Sequence, residues 1–134
     1  MHDLAIILRS AQLYAHNAHN MTKGKIFFSD HKFFGQLYPA YEEAYDSVVE
    51  RMIGLGYDVD LNRVTKEAGK DAGSYAVKDV DPEMFLTTLF NFERNICDCV
   101  KEYVPNMTDG TQNLLQGIAD DSEVRQYKIR QRLA

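Results

Sequence analysis

A stripe of apolar and aromatic side chains runs from Phe33 to Ile53 without losing its helical phase, although Pro39 lies inside it. Its members are Phe33, Phe34, Leu37, Tyr38, Tyr41, Tyr45, Val48, Val49, Met52 and Ile53, mostly spaced by three or four. That spacing gathers them along one side of an α-helix. A proline inside a helix removes one backbone hydrogen bond, at a cost of about 3 kcal/mol. Because the stripe stays in phase on both sides, the pattern predicts one kinked helix rather than two short ones. Ser29 is the expected cap, Asp30 sits in the first turn where a negative charge suits the dipole, and Gly56 is the expected stop. A helix apolar along one side must be covered by other helices or by a sheet.

The remaining chain supplies helices. Leu4, Ile7, Leu8, Ala11, Tyr14, Ala15 and Ala18 predict a first helix over residues 3 to about 20, with Asp3 as its cap and Gly24 in the turn that follows. Between Tyr57 and Val80 the pattern weakens. DLNRVTKEAG fits a short helix capped by Asp60, and KDAGSYAVKDV reads as connection. Asp81-Pro82-Glu83 joins a capping acid, a proline at the first helical position and an acid in the first turn. The third long helix carries Met84, Phe85, Leu89, Phe92, Ile96, Val100 and Tyr103 and ends at Pro105. A fourth, capped by Thr111 or Asp109, carries Leu114, Leu115, Ile118, Val124, Tyr127, Ile129 and Leu133.

No strand pattern interrupts these helices, so the class is all-α, and one domain over residues 1–134 is long enough for a proper core. The link between the second and third long helices is longer than neighbouring antiparallel helices need, and suits a crossing from one end to the other. The expected architecture is therefore a four-helix bundle with one long crossover, which is ferritin-like. No apolar run approaches the roughly 18 residues that span a bilayer, and MHDLAIILRSAQ lacks the basic region and cleavage site of a leader. A cytoplasmic protein is expected, with no membrane partner. The net charge of −5 argues against nonspecific nucleic-acid binding, which needs a basic surface. Lys128, Arg130 and Arg132 in KIRQRL read as cations that complement a helix end. Cys97 and Cys99, two apart in a helix, face nearly opposite ways and read as buried thiols rather than a disulfide.

One constellation carries chemistry: His19, His31, Asp46 and Glu50. Asp46 and Glu50 are one turn apart on one helix face. His31 precedes Asp46 by fifteen residues, which is about 22 Å along the axis and far too long for one ion. His19 ends the first helix, and a short reversal sets it beside the start of the second, near His31. Within one subunit the histidines cluster and the carboxylates cluster, but the two pairs do not meet. A twofold axis relating antiparallel second helices brings the histidine end of one copy onto the carboxylate end of the other. Each pair of subunits then holds two identical sites. Two imidazoles and two carboxylates suit Fe(II) or Zn(II) and leave positions open for water or an oxidant.

This segment resembles the Dps family of mini-ferritins, whose pattern is N-x-H-W-x-x-x-G-x-x-F…H followed by D-x-x-x-E-R. Here it reads Asn17, His19, Gly24, Phe27, His31, then Asp46, Glu50, Arg51 and a closing Leu55-Gly56. The ligand intervals of twelve, fifteen and four are the family's, and the likeness extends more weakly through DGTQNLLQGIADDSEVRQYKIR. The resemblance implies a homo-oligomeric, dodecameric hollow shell that oxidises Fe(II), usually with hydrogen peroxide, and stores the ferric mineral. It also implies that His19, His31, Asp46 and Glu50 are the iron-binding and catalytic residues, shared between subunits. Asn20 stands where the family has tryptophan, and Gly35 where many members carry a further acid. The basic tail that some members use on DNA is absent.

Other residues read more plainly. His2 and His16 are expected to be surface or core residues, with an outer role open to His16 because it shares a face with His19. Tyr38, Tyr41 and Tyr45 read as core and interface. Asp109, Asp120, Asp121 and Glu123 fit either an acidic inlet at a threefold axis or a solvated face. A di-iron site inside the bundle needs Glu-x-x-His, and no glutamate precedes a histidine by three.

Overall fold

The computed structural model describes residues 1–134, and every regular element in it is helical. Four long helices, α1 (His2–Met21), α2 (Phe27–Gly54), α4 (Pro82–Tyr103) and α5 (Asp109–Leu133), are joined by short turns and by one long link that contains a shorter helix, α3 (Leu61–Gly73). The link bears out Asp60 as a cap, since its side chain accepts from the Arg63 amide at 3.0 Å. It differs in that α3 runs on through Lys70–Gly73, into the part expected to be connection. His2 Nε2 accepts the amide of Asp60 at 3.1 Å and ties the start of α3 to the start of α1.

Cap positions moved more than helices did. Asp81 accepts from the Glu83 amide at 2.9 Å, as expected. α1 starts one residue ahead of Asp3, whose carboxylate takes the Tyr103 hydroxyl at 3.2 Å instead. α2 starts at Phe27, so Ser29 lies within its first turn; Asp30 is in that turn as expected, and it is buried. Neither Thr111 nor Asp109 caps α5: the cap position is Thr108, and Thr111 is buried. Tertiary partners took Asp3 and Asp30, whereas Ser29 donates to the carbonyl of Ile26 at 3.3 Å.

α2 runs unbroken from Phe27 to Gly54 with Pro39 on its exposed side. The amide missing at Pro39 would have bonded the carbonyl of Gly35, one turn earlier. Glycine there removes the side chain from the turn in which the proline ring crowds the backbone.

The core is centred on α1, which packs against α2, α3 and α4, while α4 packs against α5. Leu4, Leu8 and Tyr14 of α1 are buried with Phe34, Tyr41 and Met52 of α2, Phe85, Leu89 and Ile96 of α4, and Leu115 of α5. α3 fits close to α1 because Val64, Ala68 and Ala72 are its buried face. α2 and α5 approach each other much less closely. Three arginines span that side. Arg51 of α2 donates to Thr111 of α5 at 3.2 Å. Arg132, near the end of α5, holds Asp30 of α2 through two bonds of 2.9 and 3.0 Å. Midway, Arg125 of α5 grips Glu93 of α4 beneath Tyr41 of α2.

Glu93 is fully buried and fully used. Its Oε1 accepts from Arg125 Nε at 2.6 Å and Tyr41 Oη at 2.5 Å, and its Oε2 from Ser122 Oγ at 2.6 Å and Arg125 Nη2 at 3.2 Å. Burial alone would lower the Arg125 pKa, but hydrogen bonds and the charge of Glu93 raise it above its usual value. Burial, with the charge of Glu93 added, holds the Tyr41 phenol well above its ordinary 10.0.

Breaking a buried pair on one side costs about 3–5 kcal/mol, because the other charge is stranded. Glu93→Gln should lose that much in urea unfolding. Tyr41→Phe should lose about 1.5–3 kcal/mol, the worth of a hydrogen bond to a charged acceptor. The folded state holds the Tyr41 proton more tightly than the unfolded chain, so this stabilisation is complete below pH 10.0 and disappears as pH rises above it. Urea midpoints between neutral pH and pH 11 should fall less steeply in Tyr41→Phe.

Candidate metal centre

The last turn of α1 and the first turns of α2 carry a cluster of rings, folded together by the turn at Gly24, where φ is +101°. The imidazoles of His19 and His31 stack with centroids 3.9 Å apart and planes 24° apart. Phe27 stacks on His31 at 4.8 Å. Beside them, His16 lies flat on Tyr38 at 4.1 Å, and Tyr38 turns its edge toward His19.

His19 is held in a defined way. Its Nδ1 lies 2.9 Å from the carbonyl of His31, and a carbonyl can only accept, so Nδ1 carries the proton of that bond. In the neutral ring the lone pair is then on Nε2, the arrangement that makes a histidine a ready metal ligand. The ring reaches this carbonyl because residue 35 has no side chain. A Cβ on Gly35 would meet His19 Cε1 and Nδ1 at 3.0 Å. The position that the resemblance marked as a missing acid is the seat of His19.

The stack does not yet converge on one ion. A ring nitrogen's lone pair lies in the plane of its ring, and two rings stacked nearly parallel aim theirs side by side. His19 is pinned by the His31 carbonyl and by Gly35, so His31 is the ring that must turn for both to bind one metal.

Asp46 and Glu50 lie further along α2, exposed and one turn apart. Neither pairs with a cation of its own chain, in contrast to Asp30 and Glu93, and Arg51 is drawn away to Thr111. They are about 22 Å or more from His31 along the helix axis. No three metal-ligating side chains gather within one chain. The single chain therefore presents two separate pairs.

The interior offers no alternative site. The carboxylate there, Glu93, has its lone pairs taken and a guanidinium bonded to it, so its donors do not fit a metal ion. The sequence reading passed over Glu93, although an acid four residues after Leu89, on a buried helix face, was a signal. Tyr41 and Tyr45 are buried, and Tyr38 half-buried, as core residues. Arg9 lies over the Tyr45 ring at 3.8 Å. Asp109, Asp120, Asp121 and Glu123 are all exposed. Cys97 and Cys99 are free and only half-buried, not buried as expected, and burial with nearby acids pushes the Cys99 thiol up to about 11.

The class that this arrangement defines is an all-helical fold of four long helices with one long link bearing a short helix. The ferritin-like domain family matches residues 2–134, and the chain belongs to that family. No curated protein matches it.

Gly35→Ala tests the seat of His19. An interior helical Gly→Ala change ordinarily stabilises by about 0.5–1 kcal/mol. Here the added methyl should push the imidazole off the His31 carbonyl, and a nitrogen-15 NMR spectrum should show His19 losing its fixed Nδ1–H tautomer while the helix content stays unchanged.

Proposed function

We propose that this chain is a Dps-like mini-ferritin, which oxidises Fe(II) at sites shared by two subunits and stores ferric iron in a hollow shell. In this reading the chain is one four-helix-bundle domain whose crossover, bearing α3, joins α2 to α4. Two copies lie with their α2 helices antiparallel. His19 and His31 of one copy then face Asp46 and Glu50 of its mate, twice per pair, and pairs build a dodecamer working in the cytoplasm.

The observation that carries the reading is the division of one ligand set into two halves. At one end of α2, His19 is held through Nδ1 with its lone pair left on Nε2; at the other, Asp46 and Glu50 stand exposed without an internal cation. Each half is too small for an ion, and the antiparallel pairing completes both. Iron is the substrate. The imidazoles hold it without adding charge, and the carboxylates offset the charge gained on oxidation. Two Fe(II) ions give one electron each to hydrogen peroxide, which takes up two protons and leaves as two waters; oxygen is the other possible oxidant. Zn(II) suits the same donors and would compete without turning over.

A second reading, a Dps-like scaffold that holds metal without turnover, draws on the closed stack of His31 on His19. An Fe(II) titration with and without peroxide separates the two, because the scaffold binds without oxidising. DNA binding has no basic surface to support it in a chain of net charge −5.

Changing His31 and Glu50 together to alanine should lower the rate of Fe(II) oxidation by on the order of 100-fold or more, since even outer partners of a metal site cost 10–100-fold. The particle mass by light scattering should not change. Oxidation at the original rate would remove the site assignment.

A further inference from the structure

His19 has a free lone pair on Nε2, and within one chain His31 is not the ring best placed to share an ion with it. A metal–imidazole bond of about 2.0–2.1 Å sets the ion about 3.2 Å from the ring centroid. Two rings on one ion, at any angle from square to straight, then have centroids about 4.5–6.4 Å apart. The stacked rings of His19 and His31, at 3.9 Å, are too close for that. The rings of His16 and His19, at 6.4 Å and 53°, stand at the upper end of the range.

α1 makes this second pair by itself. Residues three apart on a helix are neighbours on its surface, so no other element is needed to bring His16 and His19 together. His16 is exposed, and its ring is placed by the flat stack on Tyr38 rather than by a hydrogen bond. It is therefore the ring that can swing toward an ion while His19 stays pinned on the His31 carbonyl. Two neutral imidazoles without a carboxylate favour particular ions. Affinity for such donors rises from Fe(II) through Ni(II) to Cu(II), and imidazole also suits Zn(II).

We propose that His16 and His19 form a further metal site, complete within one chain, for a late divalent ion, with Cu(II) above Ni(II) and Zn(II). Water fills the remaining positions. An ion held there occupies the Nε2 lone pair of His19. On the function proposed above, it competes with iron for that histidine. The site itself needs neither Asp46, nor Glu50, nor a second copy of the chain.

The test uses Ni(II), which the free thiols of Cys97 and Cys99 do not reduce. Binding is measured by equilibrium dialysis on the full chain carrying Asp46→Ala and Glu50→Ala, which removes the carboxylate half of the shared site. In that background His16→Ala should remove one Ni(II) per chain at saturation. His16→Phe, which keeps a flat ring against Tyr38 but offers no nitrogen, should remove it equally. His31→Ala should remove none, because the carbonyl that holds His19 is backbone and survives the change. Other groups that take up Ni(II), such as His2, are the same in every variant and cancel, and circular dichroism should show unchanged helix content. An equal loss in His31→Ala, or no loss in either His16 variant, would overturn the site. Fe(II) oxidation by the unaltered chain is read separately. Its absence removes the proposed function and leaves this site, whereas oxidation without the His16-dependent ion removes the site and leaves the function.

Discussion

The structure turns on one buried carboxylate. Glu93 lies where α2, α4 and α5 meet, and α2 and α5 approach each other much less closely than α1 and α2 do. Leaving a bare carboxylate in such a place is prohibitive, so its surroundings are dictated: a guanidinium for the charge, and donors for the remaining lone pairs. Arg125, Tyr41 and Ser122 meet these demands. Because the donors come from different helices, satisfying the carboxylate also fixes how those helices sit. Apolar packing against α1 brings the helices into proximity, and the polar centre fixes one arrangement of them.

That centre also bears on where the proposed metal site can lie. Facing helices can present carboxylates inward to hold a pair of ions, and this is the usual interior site of such a fold. Here the interior carboxylate already has a permanent cation, and no histidine accompanies it. The residues of the proposed site, His19, His31, Asp46 and Glu50, are instead on α1 and α2. Arg51, next to Glu50 in the chain, is taken up by Thr111, and no cation of the chain pairs with Asp46 or Glu50.

Much of this was legible in the sequence. Helix periods, the Pro82 start and the Asp60 cap depend on side chains within a few residues of one another, and those were read correctly. Pro39 was tolerable because the stripe kept its phase. What escaped the reading was long-range in origin. Asp30 does sit in the first turn, but its burial under Arg132, 102 positions away, could not be read there. Ser29 and Thr111 looked like caps, but the helices begin elsewhere. Gly35 looked like a missing ligand, because nothing in a linear pattern says that a ring from another helix will rest on it. The four candidate ligands were visible as intervals, whereas the stacking of His31 on His19 was not.

The stack and the division into halves bear on each other. In one chain, His31 has nothing better to do than lie against His19 and Phe27, and the ring surfaces protect each other from water. Turning it toward a metal forfeits that contact, so a single chain has a reason to stay closed. A second copy paired as proposed would change the balance, because it would bring the carboxylates that complete the proposed ligand set. Anything that binds the paired state alone stabilises that pair by mass action. Under the proposed function, metal affinity and assembly would be one equilibrium seen from two sides, ions favouring pairing and pairing favouring ions. In such a design the interface residues influence chemistry as strongly as the ligands do, although they never touch the metal.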